Sequence, residues 1–485
     1  MKIIGNGKYS YLSKNVLLFA LNGFLPKVLV FVLIPIYTSY LTTAEYGISD
    51  LISTTVQLLV PILTLDIQDA VMRYAMDKTI DNKQVLTFAL RIIFVGTAIL
   101  SLVSGIVAVF KIGGLNAEYL LFLCITYFTV AINNSVTMFL KTIEKINVIV
   151  ISSVLNSVIT LTANILFLTV FKWGLTGYLT AQTIGALVSI IICFFGAKLY
   201  KYITKSVSKQ LKKEMLKFSF PLIFSVIAWW VNSASDRYVL TLIVGVSASG
   251  IYAVANKLPS LLSIFQSVFY QAWSISAIKE FDREDKDNFI SNMYNLMNFG
   301  MIIFCSLLII CTIPLAKLLF SNDFFEAYKF VPPLLVSVIF NALSLFIGSI
   351  FTAVKDTKTL SISTIIGAVV NTVCNFILIY FLGIYGAAIA TLVGYFVTYV
   401  MRHIILKKYI RLKINWTRDI FAYVLLLVQM LLNWWGLQLI LVQAVLLVVL
   451  ICLYIKEIKN FFKNIKNKIT NKNKEIEKGN VDVNE

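Results

Sequence analysis

The sequence predicts an all-α polytopic membrane protein of about 14 transmembrane helices, with two six-helix lobes in parallel repeat followed by two C-terminal helices. Three observations predict it: the composition, the spacing of the apolar runs and the placement of the basic residues. Of 485 residues, 59% are hydrophobic and 14% charged, against roughly 45–50% and about 25% in soluble domains. The 35 Phe, 23 Tyr and 7 Trp are dispersed through long apolar stretches, which excludes a soluble enzyme carried on a single anchor. Six Cys, at 124, 193, 305, 311, 374 and 452, all lie in apolar runs without ligand spacing. They read as small hydrophobes. A single His removes most metal-site and general-base chemistry.

A span needs about 20 mostly apolar residues. That rule places spans at 15–37, 47–67, 86–110, 118–140, 148–170, 175–197, 218–243, 250–274, 291–313, 330–353, 361–382, 384–404, 418–433 and 437–455. Only Gly383 and Gly386 break the run from 361 to 404. Residues 2–14 are polar and carry three Lys, unlike a cleavable signal segment. After Phe462 the chain turns to Lys, Asn, Glu and Ile, the composition of a disordered tail.

The formal charge of +18 would fit nucleic acid if it were one patch, but it is not. With the amino terminus inside, 34 of the 42 basic residues fall in cytoplasmic segments, four (Lys111, Lys172, Lys317, Lys329) fall outside, and four lie within spans. Short cytoplasmic loops carry this excess, so the charge orients a multi-pass protein with both termini cytoplasmic. Membrane lipids are the expected partner of the basic loops and nucleic acid is not. The connection 198–217 alone holds seven Lys.

That connection also divides the chain. The organisation expected is an N-terminal lobe at 1–197, the Lys-rich connection 198–217, a C-terminal lobe at 218–404, two further helices at 405–455 and a polar tail at 456–485. The lobes open alike: Asn15 precedes Gly47 of Ala44-Glu45-Tyr46-Gly47 by 32 residues, and Phe218 precedes Gly250 of Ala248-Ser249-Gly250 by 32. An even number of spans per lobe makes the repeats parallel, and a binding site is expected where repeats meet.

The four basic residues within spans are costly unless they face a bundle interior or an aqueous path. Lys27 follows Pro26 near the middle of span one; Arg91 is early in span three; Arg237 lies beside Asp236 in span seven; Lys257 is in span eight. For each, a ligand or pathway role stands beside a structural ion pair, and Arg91 is long enough to reach the interface. Adjacent helix positions diverge, so Asp236 is expected to pair with Lys257 or Lys27 rather than with Arg237. It is also the only convincing acid inside the spans. Asp66, Asp69 and Arg73 stand where span two ends, as a headgroup contact or a solvated helix terminus. Cationic surplus with Trp229, Trp230, Asn232 and Tyr238 nearby suits an anionic, sugar-bearing substrate. No nucleotide-binding loop is present, so no cofactor and no ATP chemistry are expected.

Leu41-Thr42-Thr43-Ala44-Glu45-Tyr46-Gly47 after Asn15–Tyr40, Asp69-Ala70-Val71-Met72-Arg73-Tyr74, Ser235-Asp236-Arg237-Tyr238 and Gly250-Ile251-Tyr252-Ala253-Val254-Ala255-Asn256-Lys257 together resemble the bacterial polysaccharide flippase family, over about residues 12–455. That family sits in a superfamily with multidrug/toxin extruders and lipid II flippases. The resemblance implies a non-enzymatic plasma (inner) membrane protein moving undecaprenyl-diphosphate-linked oligosaccharide repeat units between leaflets for O-antigen or capsule synthesis. Functional coupling to a polysaccharide polymerase is compatible with that role. Two lobes would then surround a cationic cavity with Lys27, Arg237 and Lys257 holding the diphosphate or an acidic sugar, and Arg73 and Arg91 guiding entry. The alternatives are a lipid II or small-molecule transporter of the same superfamily, and a membrane polymerase. The polymerase would be expected to carry a long exported catalytic loop, and the connections near 111–117, 171–174 and 314–329 are short.

Overall fold

The structure is a computed structural model that describes residues 31–77, 79–112, 116–279, 281–286 and 288–455. Lys27, most of the expected first span and the polar tail lie outside the described residues. Among those described the chain is all-helical, without a strand. The helices are α1 (Phe31–Tyr40), α2 (Thr43–Leu63), α3 (Ile67–Ala75), α4 (Asn82–Val109), α5 (Ala117–Thr142), α6 (Ile146–Ile165), α7 (Gly174–Gly196) and α8 (Lys209–Ile243). They continue as α9 (Val246–Ala255), α10 (Lys257–Lys279), α11 (Phe289–Leu319), α12 (Val331–Ala353), α13 (Thr357–Leu382), α14 (Ile384–Leu406), α15 (Trp416–Leu432) and α16 (Ile440–Leu453). Eleven of the described helical stretches are long and apolar enough to cross a membrane, so the chain is a multi-pass helical membrane protein.

Several boundaries differ from those expected. The eighth span, 250–274, is interrupted at Asn256 between α9 and α10. The thirteenth and fourteenth spans are two helices, α15 and α16, as expected: the chain reverses at Gly436, whose φ of 75° needs glycine, so that Gln429 donates to the Gln443 carbonyl at 3.1 Å and the Tyr454 hydroxyl to Asp419 at 2.8 Å. The Lys-rich connection is not all loop. Its last nine residues, from Lys209, are the start of α8, capped by Ser208 Oγ, which accepts from the Leu211 amide at 3.1 Å.

The chain divides into two compact units. The first comprises Met1–Val254, Lys317–Glu326 and Ile379–Ile384. Its core gathers the apolar faces of α2 to α5 with the start of α8: Ile67, Leu86, Ile93, Tyr127, Phe139, Leu140 and Met215 are all buried. The connection ahead of α8 is strapped to one face of α4. The Gln84 side chain accepts from the Ser208 amide, the Thr87 hydroxyl accepts from the Thr204 amide, both at 2.9 Å, and Arg91 Nη2 donates to the Lys205 carbonyl at 2.7 Å. Positions 84, 87 and 91 repeat at helical spacing, so one face of α4 supplies all three ties.

The start of α2 explains the first motif of the sequence. Thr42 and Glu45 form a capping box: the Glu45 amide donates to Thr42 Oγ1 and the Thr42 amide to Glu45 Oε2 at 2.8 Å. Tyr46 stacks on Tyr37 of α1 with ring centroids 4.6 Å apart. Gly47 meets α9: a Cβ there would collide with the Val246 carbonyl oxygen, and one at Gly250 would collide with the Thr43 carbonyl. The two glycines that mark the internal repeat therefore face each other where α2 and α9 touch backbone to backbone.

The second unit comprises Ala255–Ala316, Ala327–Leu378 and Tyr385–Glu485. Its centre is α12, buried at every position from Val331 to Phe340, as expected of a helix apolar on all sides. Trp273 of α10 stacks on Phe346 with centroids 4.0 Å apart and donates its Nε1 proton to the Phe346 carbonyl at 3.0 Å. Arg402 of α14 is buried among neutral acceptors: Nε donates to Ser363 Oγ at 2.9 Å, Nη1 to the Ser344 carbonyl at 2.7 Å and Nη2 to Thr364 Oγ1 at 2.8 Å. It ties α12, α13 and α14 together. In the connection before α13, hydrogen bonds from Thr359 and Tyr409 hold the Asp356 carboxyl below the usual carboxylate range.

Gly47→Ala and Gly250→Ala should each lower the stability of the purified protein by about 1–3 kcal/mol, the usual cost of overpacking. The readout is the thermal unfolding midpoint in detergent. Gly105→Ala, where an added Cβ meets nothing within 4 Å, should leave that midpoint unchanged or slightly raised.

Candidate functional site

Three helices of the first unit, α2, α8 and α9, assemble a polar seam inside the apolar bundle. Arg237 of α8 donates from Nε to Asp50 of α2 at 2.7 Å. Its Nη1 donates to the Ser233 carbonyl at 3.0 Å and to Asp236 Oδ1 at 3.3 Å. The other oxygen of Asp236 accepts from the Tyr252 hydroxyl of α9 at 2.5 Å. Beside the pair, Trp230 Nε1 donates to the Thr54 carbonyl at 2.9 Å, and the Tyr238 and Thr55 hydroxyls are 2.6 Å apart. On α2 the contacts fall at Asp50 and, one turn on, at the adjacent Thr54 and Thr55, so α2 and α8 are fastened over more than a turn.

This geometry limits what Arg237 can do. A guanidinium has five donors, and here most are used within the seam. Nη2 has no partner among the described residues, and the side chain remains 17% exposed. Arg237 therefore offers one charged edge in a fixed direction, not a mobile cation. With two carboxylates against one guanidinium, the seam as a whole is not electropositive.

The residues expected from sequence separate into different surroundings. Asp236 and Arg237 are in the seam, but the pairing differs from expectation. Among the described residues Asp236 is held by Arg237 and Tyr252 rather than by Lys257, because its Oδ1 accepts from the Arg237 amide at 2.9 Å and the long Arg side chain folds back to the same oxygen. Asp236 is also not the only acid within the spans. Asp50 was missed, although a carboxylate in the apolar run from Ile48 to Val60, four residues after Tyr46, is a visible signal. Lys257 opens α10, half-buried, in the second unit. Arg73 is exposed on α3. Arg91 reaches the backbone of the strap at Thr204 and Lys205. Asp66, expected as part of a solvated terminus, is fully buried in a left-handed conformation with φ of 49° and accepts from Gln68 at 3.2 Å. Trp230 and Tyr238 are committed to α2, whereas Trp229 faces outward. Lys27 lies outside the described residues.

An all-helical, multi-pass architecture with a charged seam between spans is the class that fold and site define. Several solved structures are similar to it in fold. A lipid II flippase MurJ in an inward closed conformation matches with a TM-score of 0.69 at 15% identity, covering 93% of this chain and 99% of that one. An inward-facing multidrug resistance MATE family transporter of the MOP superfamily matches with a TM-score of 0.63 at 13% identity, covering 80% and 97%. A MOP superfamily transporter from Pyrococcus furiosus, described by a reversed polarity of its binding pocket, matches at 0.58 and 15% identity, covering 83% and 96%. At these identities the likeness is one of fold. No curated protein matches the sequence. The polysaccharide biosynthesis protein family matches residues 12–274, more than half of the chain, and the chain belongs to that family.

The Asp50–Arg237 contact should prove strongly coupled. Arg237→Gln should lower stability by about 3 kcal/mol, since it leaves two carboxylates without a counter-charge among apolar helices, and Asp50→Asn by less, about 1–2 kcal/mol, because Arg237 keeps Asp236. The double variant should recover about 1–3 kcal/mol of the summed loss. Unfolding midpoints of the four proteins in one detergent give the coupling.

Proposed function

We propose that the protein translocates undecaprenyl-diphosphate-linked oligosaccharide repeat units from the inner to the outer leaflet of a bacterial plasma membrane, for a surface polysaccharide such as O-antigen or capsule. Membership of the polysaccharide biosynthesis family is the observation that carries this reading. In it the chain crosses the membrane fourteen times with both termini cytoplasmic, through six-helix lobes at 1–197 and 218–404, the connection 198–217, the helices of 405–455 and a cytoplasmic tail at 456–485. The exposed edge of Arg237 contacts the anionic part of the cargo together with Lys27 and Lys257, and Asp236 fixes the direction of that edge. Arg73 and Arg91 stand on the entry side. The work is transport, not catalysis, and a polysaccharide polymerase takes up the flipped unit.

A rigid, half-satisfied guanidinium supports this role because diphosphate oxygens match its planar edge. The seam's own carboxylates weaken net attraction, so release on the far side is not opposed by a deep electrostatic well. The described connections give no long loop on which a polymerase site would be built.

Deletion of the gene should abolish the surface polysaccharide and leave a diphosphate-linked saccharide in the cytoplasmic leaflet, identified by mass spectrometry of extracted lipids. Accumulation of lipid II, or an intact surface glycan, overturns the reading. Lys27→Ala should lower surface glycan several-fold at unchanged membrane protein level. Arg237→Lys, which keeps the charge and loses the planar edge, should retain part of the export.

A further inference from the structure

The first unit carries a groove that the α2–α8–α9 seam does not use. It has a volume of about 370 Å³ and is walled on one side by Phe88, Ile92, Val95 and Ile99 of α4, at helical spacing, and on the other by Leu63 and Leu65 at the end of α2. Arg91 and Lys212 complete its lining. A second hollow of about 440 Å³, lined by Leu216, Lys217 and Phe220 of α8, shares Leu65 with it. Val95 is 59% and Ile99 48% exposed, so the groove opens outward from the bundle, where a membrane protein meets acyl chains. We infer that it is a binding site for one anionic diacyl phospholipid, with the phosphate held between Arg91 and Lys212 and the acyl chains lying on the α4 wall and in the hollow beside Phe220.

Charge complementarity selects this occupant. Neither Arg91 nor Lys212 has a carboxylate within salt-bridge distance among the described residues. Arg91 is not mobile, because Nη2 is held by the Thr204 and Lys205 carbonyls of the strap, which leaves Nε and Nη1 to other acceptors. Lys212 is brought opposite by the early start of α8, where Leu211 and Met215 bury the other face of the same turns. From Arg91 the wall runs on to Ile99, about 12 Å at 1.5 Å per residue, a substantial part of an acyl chain. A zwitterionic lipid brings its own cation beside the phosphate and leaves Arg91 and Lys212 with a surplus of positive charge, whereas an anionic headgroup carries no such compensation. Arg91 then serves the entry side by fixing a boundary lipid, and the inference does not depend on the cargo proposed above.

The test is titration of the detergent-purified full chain with dioleoyl phosphatidylglycerol or dioleoyl phosphatidylcholine, reading the dissociation constant of the first bound lipid by native mass spectrometry. Phosphatidylglycerol should bind about ten-fold or more tightly than phosphatidylcholine. That preference should fall about five-fold in Lys212→Gln and further in Arg91→Gln/Lys212→Gln, since each cation near a membrane surface contributes about that factor. Lys212→Gln disturbs none of the strap hydrogen bonds, so a folding defect in the double variant leaves the single one decisive. Lys407→Gln/Lys408→Gln, which removes two charges from another connection, should leave the constant unchanged. Equal binding of the two lipids, or an equal loss in the Lys407/Lys408 variant, overturns the site. Tighter binding of undecaprenyl diphosphate than of phosphatidylglycerol, lost with Lys212→Gln, overturns the phospholipid assignment and makes the groove a port for cargo.

Discussion

The ion pair of Arg237 with Asp50, 2.7 Å apart between α2 and α8, is the constraint around which the first unit is organised. An unpaired arginine near the centre of a span costs roughly 2.5–3.5 kcal/mol on insertion scales. Pairing removes most of that cost only if the geometry is good and the remaining polar atoms are satisfied. Neighbours meet both conditions except at Nη2: Ser233 and Asp236 take Nη1, and Tyr252 takes the second oxygen of Asp236. Tyr252 stands on α9, so α9 must come close to the seam. The glycine contact between α2 and α9 permits that approach, since any side chain at Gly47 or Gly250 would meet a backbone carbonyl. The charge pair and the two glycines are therefore one device. The first requires proximity of three helices and the second makes it sterically available.

The internal repeat acquires a physical meaning from the same contact. As a pattern, Ala44-Glu45-Tyr46-Gly47 and Ala248-Ser249-Gly250 show only that two segments resemble each other. In the structure each glycine is the landing point for the other helix. A small residue at this position is useful twice, because close backbone packing lets apolar helices associate where lipid offers no hydrophobic drive between them. The residues around each glycine then diverge: the first copy carries the capping box and the Tyr37–Tyr46 stack, whereas the second carries Tyr252 for Asp236.

Much of the fold is legible in the sequence because apolar length is dictated by the bilayer and needs no tertiary knowledge. The runs from 86 to 110 and from 175 to 197 become α4 and α7 with ends shifted by a few residues. The misjudged boundaries have local causes. Asn256 ends a helix inside an apolar run, and α8 begins within a Lys-rich segment because Leu211 and Met215 recur at helical spacing beneath the lysines. The site was legible only in part. Composition and span position single out Asp236 and Arg237, but which face each presents depends on helix rotation, which one sequence does not contain. Asp50 was overlooked for that reason: in a linear reading it sits at a span edge, and only the crossing of α2 with α8 brings it to Arg237.

The basic residues show a second way in which a linear reading compresses information. Counted by segment, the seven lysines of 198–217 are an orientation signal, and any order of them would serve. The strap distinguishes among them. Its backbone is fixed to Gln84, Thr87 and Arg91, and α8 starts directly after it, capped by Ser208. Lys212, half-buried, lines the groove, whereas Lys213 is exposed on the same helix. Once a loop is tied down, its charges acquire positions, and a statistical bias toward one face of the membrane becomes a set of individual contacts. The same residues can then orient the chain during insertion and hold a lipid afterwards, because the first needs only their number and the second only their place.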